Sequence, residues 1–258
     1  AGILLLTNVN TYTGTTTINE GRLSLSGSGS VASSGLVLMG GTSGHSAVFD
    51  ITNTTSGSSI VSLKDASANG AYDSVTLGTK VLTLTAANDT FYGVISSSSS
   101  AGGVTLSSGS QTLSGANTYT GPTVVNGGTL TAGVSTSGST GAFGVGSAVT
   151  VNGGTLAIGA YSETVGSVSV GTSGGSITGT SGVLTGTSYT FNNTSPNTLT
   201  VSAILGGSGV GLTQSGTGVS TLTGVNTYTG TTTISAGTLR LGNTSGTTLP
   251  SASAISMS

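Results

Sequence analysis

Cysteine and tryptophan are absent from the 258 residues, and only four basic and six acidic side chains occur. Without cysteine, disulfides contribute nothing, and no His/Cys spacing for zinc exists. Four Lys and Arg at a net charge of −2 exclude an electrostatic grip on nucleic acid and a polybasic membrane patch, because both need several clustered cations. Long apolar runs are also missing. The longest, Ile3-Leu4-Leu5-Leu6, has the length of a buried strand, against the ~20 residues that span a bilayer. No basic start leads into an apolar core, so a secretion signal is expected to lie outside this sequence, and the Ala-Gly start suits cleavage after a small residue. Sustained 3.6-residue periodicity is lacking, and Glu, Lys and Arg are too few to favour helix.

What remains is strand and turn. Charged residues make up 4% of the chain, against about 25% in an average soluble domain. Disorder combines high net charge with few β-branched residues, which is the opposite balance. Val81-Leu82-Thr83-Leu84-Thr85, Val149-Thr150-Val151, Val168-Ser169-Val170 and Leu239-Arg240-Leu241 place apolar residues two apart, the spacing that aims them at one face of a strand. Asn126-Gly127-Gly128 and Asn152-Gly153-Gly154 supply corner chemistry.

The strongest signal is a repeat. Asn-Thr-Tyr-Thr-Gly occurs three times, within Leu6 to Leu23, Leu113 to Leu130 and Leu222 to Leu239. Each copy continues through a β-branched run to Gly-x-Leu. Asn10, Tyr12 and Gly14 correspond to Asn117, Tyr119 and Gly121 and to Asn226, Tyr228 and Gly230. The tyrosines stand 107 and 109 positions apart, about five coils of ~21–22 residues, and shorter echoes recur every ~20–27 residues. An antiparallel sandwich would not fix such spacings. A parallel solenoid would, because like residues stack on like residues, with Asn ladders at corners and Thr, Val or Ile ladders on the faces. On the order of 10–12 coils would make a rod about 50–60 Å long.

The phrase Leu113-Ser-Gly-Ala-Asn-Thr-Tyr-Thr-Gly121, continuing to Val125-Asn-Gly-Gly-Thr-Leu130, resembles the autotransporter-associated β-strand repeat of bacterial passenger regions. The copies at Leu222 and Leu6 share the resemblance, and a degraded fourth runs from Leu84 to Gly93. The resemblance implies an all-β, right-handed parallel β-helix, one elongated domain over residues 1–258, extracellular or on a bacterial cell surface. It implies no catalytic residue and no cofactor.

Titratable groups are few enough to weigh singly. His45 with Ser46 and Asp50 has the composition of a nucleophilic triad but lacks a nucleophile elbow, so an exposed loop histidine is the better reading. Asp65 and Asp73 have the chemistry for pairing across coils, with Lys64 or Lys80 nearby, as glycan-cleaving β-helices require; solvated loop charges are the simpler reading. His45, Asp50, Lys64, Asp65, Asp73, Lys80 and Asp89 crowd into residues 45–89, the segment that fits the repeat worst. Protruding loops carrying candidate binding residues are one expectation there, and a plain divergent coil is the other. Glu20 and Arg22 are expected to pair on one outer face. The repeated tyrosines suit packing at a corner, hydroxyl bonded, better than sugar stacking. The sequons at Asn53, Asn88, Asn192, Asn193 and Asn243 are expected by chance in so Thr-rich a chain.

The chain enters and leaves within a repeat, and neither end carries an amphipathic helix, a charged strand or a Pro-rich cover to blunt an edge. Head-to-tail stacking of copies into a filament is therefore one expectation. An excerpt from a longer passenger is the other. Three functions follow in order: a structural filament, matrix or stalk element; an adhesin for glycans or surfaces; and, remotely, a carbohydrate-active enzyme.

Overall fold

The computed structural model describes residues 2–68, 70–242, 249–250 and 253–257. The sequon at Asn243, together with Ser251, Ala252 and Ser258 of the closing phrase, lies outside the described residues. Parallel sheets stack as a β-solenoid of about 12 turns, as the repeat spacing predicts. Strands are numbered in chain order. A ten-stranded sheet runs β6 (Ser58–Ile60), β9 (Leu82–Leu84), β12 (Val104–Leu106), β14 (Thr123–Val125), β16 (Val149–Val151), β19 (Ser167–Val170), β22 (Ser188–Phe191), β25 (Leu212–Gln214), β27 (Thr232–Ile234) and β29 (Ile255–Met257). An eight-stranded sheet comprises β10 (Ala87–Phe91), β13 (Gly109–Leu113), β15 (Thr129–Ala132), β17 (Thr155–Gly159), β20 (Gly175–Gly179), β23 (Thr198–Val201), β26 (Val219–Leu222) and β28 (Thr238–Leu241).

The third face opens with five strands: β1 (Ile3–Leu6), β3 (Gly21–Gly27), β5 (Ala47–Thr54), β8 (Asp73–Thr76) and β11 (Val94–Ser96). Farther along, β18 (Glu163–Thr164), β21 (Val183–Thr185) and β24 (Ile204–Gly206) form a three-stranded sheet of their own. A second three-stranded sheet, β2 (Thr15–Ile18), β4 (Leu36–Met39) and β7 (Leu63–Asp65), leads towards β10. Asp65 of β7 accepts hydrogen bonds from the Tyr92 and Gly93 amides just after β10.

Alternation positions the core. In the ten-stranded sheet, Leu84, Leu106, Val125, Val151, Val170 and Phe191 stand in one inward file, all fully buried. The parallel file Leu82, Val104, Thr123, Val149, Val168, Tyr189, Leu212 and Thr232 is apolar except at the two motif threonines and the tyrosine hydroxyl. Those hydroxyls must find partners inside, because an unpaired buried hydroxyl costs about 1–3 kcal/mol.

Two expectations about the repeat need correction. The second and third copies lie on the same faces five coils apart, with Thr123 in β14 and Thr232 in β27. The first is set differently around the rod, because Thr16 falls in β2, in another sheet. Uneven early coils displace it, including a register shift between Ser24 and Ser26. The repeated asparagines, being several coils apart, form no ladder with one another. Each bonds the backbone of its neighbouring coil instead.

Candidate functional site

The motif residues form one device, built three times. Tyr119 Oη and Thr123 Oγ1 lie 2.8 Å apart, Thr123 Oγ1 meets Ser147 Oγ of the next coil at 3.1 Å, and Ser147 Oγ donates to the Gly121 carbonyl at 2.5 Å. The chain Tyr228, Thr232, Ser253, Gly230 repeats this at 2.8, 2.9 and 2.7 Å. Tyr12, Thr16, Ser34 and Gly14 repeat it again at 2.7, 2.8 and 2.8 Å. The tyrosine thus carries a buried threonine across to the next coil. Burial pushes the Tyr119 and Tyr228 hydroxyls above the ordinary tyrosine value, so both stay protonated at physiological pH.

Asn117 stitches its coil to both neighbours. Its Oδ1 accepts from the Ile95 amide at 2.7 Å, and its Nδ2 donates to the Ala142 carbonyl at 2.7 Å. Asn226 Oδ1 accepts from the Leu205 amide at 2.9 Å. The glycine of Gly-x-Leu closes the turn: Gly21, Gly128 and Gly237 have φ of 85, 69 and 66°, and a Cβ at Gly128 would strike the Gly109 carbonyl. Both facts require glycine there.

The three copies differ in one respect, which is what covers them. Gly121 lies against the backbone of Gly102, and Gly230 against Val210, whereas nothing approaches Gly14. Tyr119 and Tyr228 are buried, while Tyr12 is 43% exposed. Around Tyr12, a concavity of about 560 Å³ is lined by Ile3, Leu4, Leu6, Ile18 and Leu23 among others. Ile3, Leu4 and Leu5 are 73, 59 and 56% exposed, an apolar strip that ordinary solvated surface seldom carries.

The charged segment contributes β5 to β10. His45 Nδ1 lies 2.8 Å from Glu20 Oε2, and Asp50 Oδ2 lies 2.8 Å from Arg22 Nη1. These pairs replace the expected Glu20–Arg22 contact, because Glu20 sits in the turn before β3 and only Arg22 lies on the strand. They also separate His45 from Asp50, so Ser46, His45 and Asp50 make no triad. Burial works to raise the Asp50 carboxyl, but hydrogen bonds from Thr52 and then the Arg22 guanidinium outweigh it and hold it below the ordinary value.

Asp65 and Asp73 do come together, hydrogen-bonded and both buried. A glycosidase needs its two carboxyls roughly 5–9.5 Å apart, so direct contact does not suit that chemistry. No lysine joins them. Alternation in β7 turns Asp65 inward and Lys64 outward, where Lys64 Nζ lies 3.1 Å from Asp89 Oδ1. Lys80 Nζ donates to the Thr55 carbonyl at 3.1 Å. Lys64, Asp65, Asn88, Asp89 and Tyr92 line an open cleft of about 340 Å³.

Three participants escaped sequence reasoning: Ser34, Ser147 and Ser253. Their shared phrase, Ser-Gly/Ala-apolar at Ser34-Gly35-Leu36, Ser147-Ala148-Val149 and Ser253-Ala254-Ile255, was the available signal. Glu163 was also passed over. Its Oε2 accepts from the Ala142 amide at 3.1 Å and from Thr136 Oγ1 at 3.3 Å.

Among known families, the passenger-associated-transport-repeat model matches residues 1–25, 106–132 and 212–241, the three motif copies. No curated protein and no solved structure matches the chain. The repeat implies a passenger-domain β-helix of autotransporter type, a structural surface class, and suggests a bacterial surface or extracellular setting. No helix among the described residues is long and apolar enough to cross a membrane.

Proposed function

We propose, from a chain carrying three passenger-associated transport repeats, that it serves as a rigid structural element of a bacterial surface and builds filaments by adding coil to coil. The observation carrying this reading is the stitched stack: Tyr119, Thr123 and Ser147, and again Tyr228, Thr232 and Ser253, tie each motif coil to the next. An apolar strand such as the one holding Ile255 and Met257 in a second copy is the chemistry that Ile3, Leu4 and Leu5 would accept. Such a contact is head-to-tail and does not close, so it generates an open fibre.

The Leu4→Glu substitution tests it by burying a charge in the joint. Electron microscopy of concentrated wild-type protein should show rods of several molecules end to end, and L4E only single rods. Single short rods for the wild type at high concentration overturn the reading.

A second reading, adhesion to glycans, is favoured by the cleft beside the Lys64–Asp89 pair, where Tyr92 offers a part-exposed ring and Asn88 an amide. Asp89→Ala should abolish the binding that the wild type shows on a glycan array. An empty wild-type array removes this reading.

A further inference from the structure

The outer surface of the eight-stranded sheet has an order that coil stacking alone does not require. Ser110, Thr129, Thr155, Ser176, Thr200 and Thr221 stand in one unbroken outward file over six successive coils. Two residues along each strand runs a second file: Thr90, Thr112, Thr131, Ala157 and Thr178. Strands β13, β15, β17, β20, β23 and β26 contain no charged and no aromatic residue. On the ten-stranded face, Thr150 and Ser169 bond each other at 3.1 Å. None of the hydroxyls in the two files here is bonded to another protein group.

The geometry is that of a net. Parallel strands lie about 4.8 Å apart, and outward residues two apart on a strand lie about 6.6 Å apart. The inter-strand repeat is close to the shorter oxygen repeat on the prism face of hexagonal ice, and the repeat along the strand is somewhat shorter than the longer one. Side-chain ladders keep stacked sheets flatter than open ones. Each threonine presents a methyl group, which orders the water around it, and a free hydroxyl, which anchors that water. A single such contact is weak. Fixed on a rigid lattice, many act together with little ordering cost left to meet.

We propose that this face binds ice. A sugar lattice would call for rings to stack on, and the central strands carry none. Charge, which disrupts ordered water, stays at the margins, in Asp89 at one end and Arg240 at the other.

The test is partition of the full chain between slowly growing ice and liquid, with inhibition of ice recrystallisation alongside. Wild-type protein should concentrate in the ice and keep grains small. Thr155→Lys and Thr200→Lys, each planting a long cation in the middle of the first file, should lose both effects at an unchanged melting temperature. Thr164→Lys, on a three-stranded sheet, should keep them. Exclusion of the wild type from ice, at the level of an inert protein, overturns the proposal, as does full activity of both file variants. Exclusion from ice with sedimentation on microcrystalline cellulose overturns it in favour of a polysaccharide surface.

Discussion

Replacing Asn117 with alanine should destabilise its coil by about 2–6 kcal/mol, because two buried backbone groups lose partners that no water can replace. The Ile95 amide and the Ala142 carbonyl are each bonded by this side chain at 2.7 Å, and Asn117 itself is fully buried. Between β11 and β18 the third face has no continuous strand, so the amide does the work of a missing rung. Asn117→Asp should do little better, since a carboxylate cannot donate to Ala142 and buries a charge. Asn10→Ala supplies the internal control: its Nδ2 bonds the Asn8 and Ser30 carbonyls at 3.0 and 3.1 Å near solvent, where water substitutes, so the loss should be well under about 1 kcal/mol. A solenoid can open locally without melting as a whole. Amide hydrogen exchange is therefore the sharper readout alongside thermal melting. Protection should collapse at Ile95 and its neighbours in N117A. Unchanged exchange there would mean that the asparagine is not the link.

The reason this device was half legible is that it is half local. The alternation in Val149-Thr150-Val151 sends the valines inward and the threonine outward, as its period of two requires. Tyr119 and Thr123 are four positions apart, so their partnership lies inside the motif. Their continuation lies one coil on, at Ser147, whose Ser-Ala-apolar phrase recurs in the chain but does not name Thr123 as its partner. The charges behaved likewise. Proximity in sequence pairs Arg22 with Glu20, but stacking offers it Asp50, 28 positions away. Parallel coils make every lateral neighbour distant in sequence by a length that varies with the loops. Type and inward or outward aim could be read; partners could not. Glu163, alone in an uncharged region, gave no clue that it substitutes for backbone pairing as Asn117 does.

The largest solution effect expected concerns pH, and its sign runs against ordinary acid unfolding. Burial, assisted by the hydrogen-bonded Asp73 carboxyl, pushes Asp65 up to about 7 from an ordinary 3.8. Burial pushes Glu163 up to about 7 from an ordinary 4.5, and its Oε1 has no hydrogen-bond partner. An acid with a raised folded value binds its proton more tightly when folded. Its contribution is complete below the unfolded value and is lost as pH rises through the folded one. Wild-type protein should therefore gain stability as pH falls from about 8 to about 5, by at most on the order of 3 kcal/mol for each group. Asp50 works in the opposite direction, but its loss begins only below the ordinary carboxylate range, so it does not mask this window. Asp65→Asn keeps an oxygen for the Tyr92 and Gly93 amides and offers Asp73 an N–H in place of the shared proton. Glu163→Gln keeps an acceptor for Ala142 and Thr136. Each variant should melt higher than wild type at pH 8 and show a shallower pH slope, with the double variant nearly flat between pH 5 and 8. A wild type whose stability stays flat or falls from pH 8 to pH 5 would show that neither carboxyl is raised in the fold.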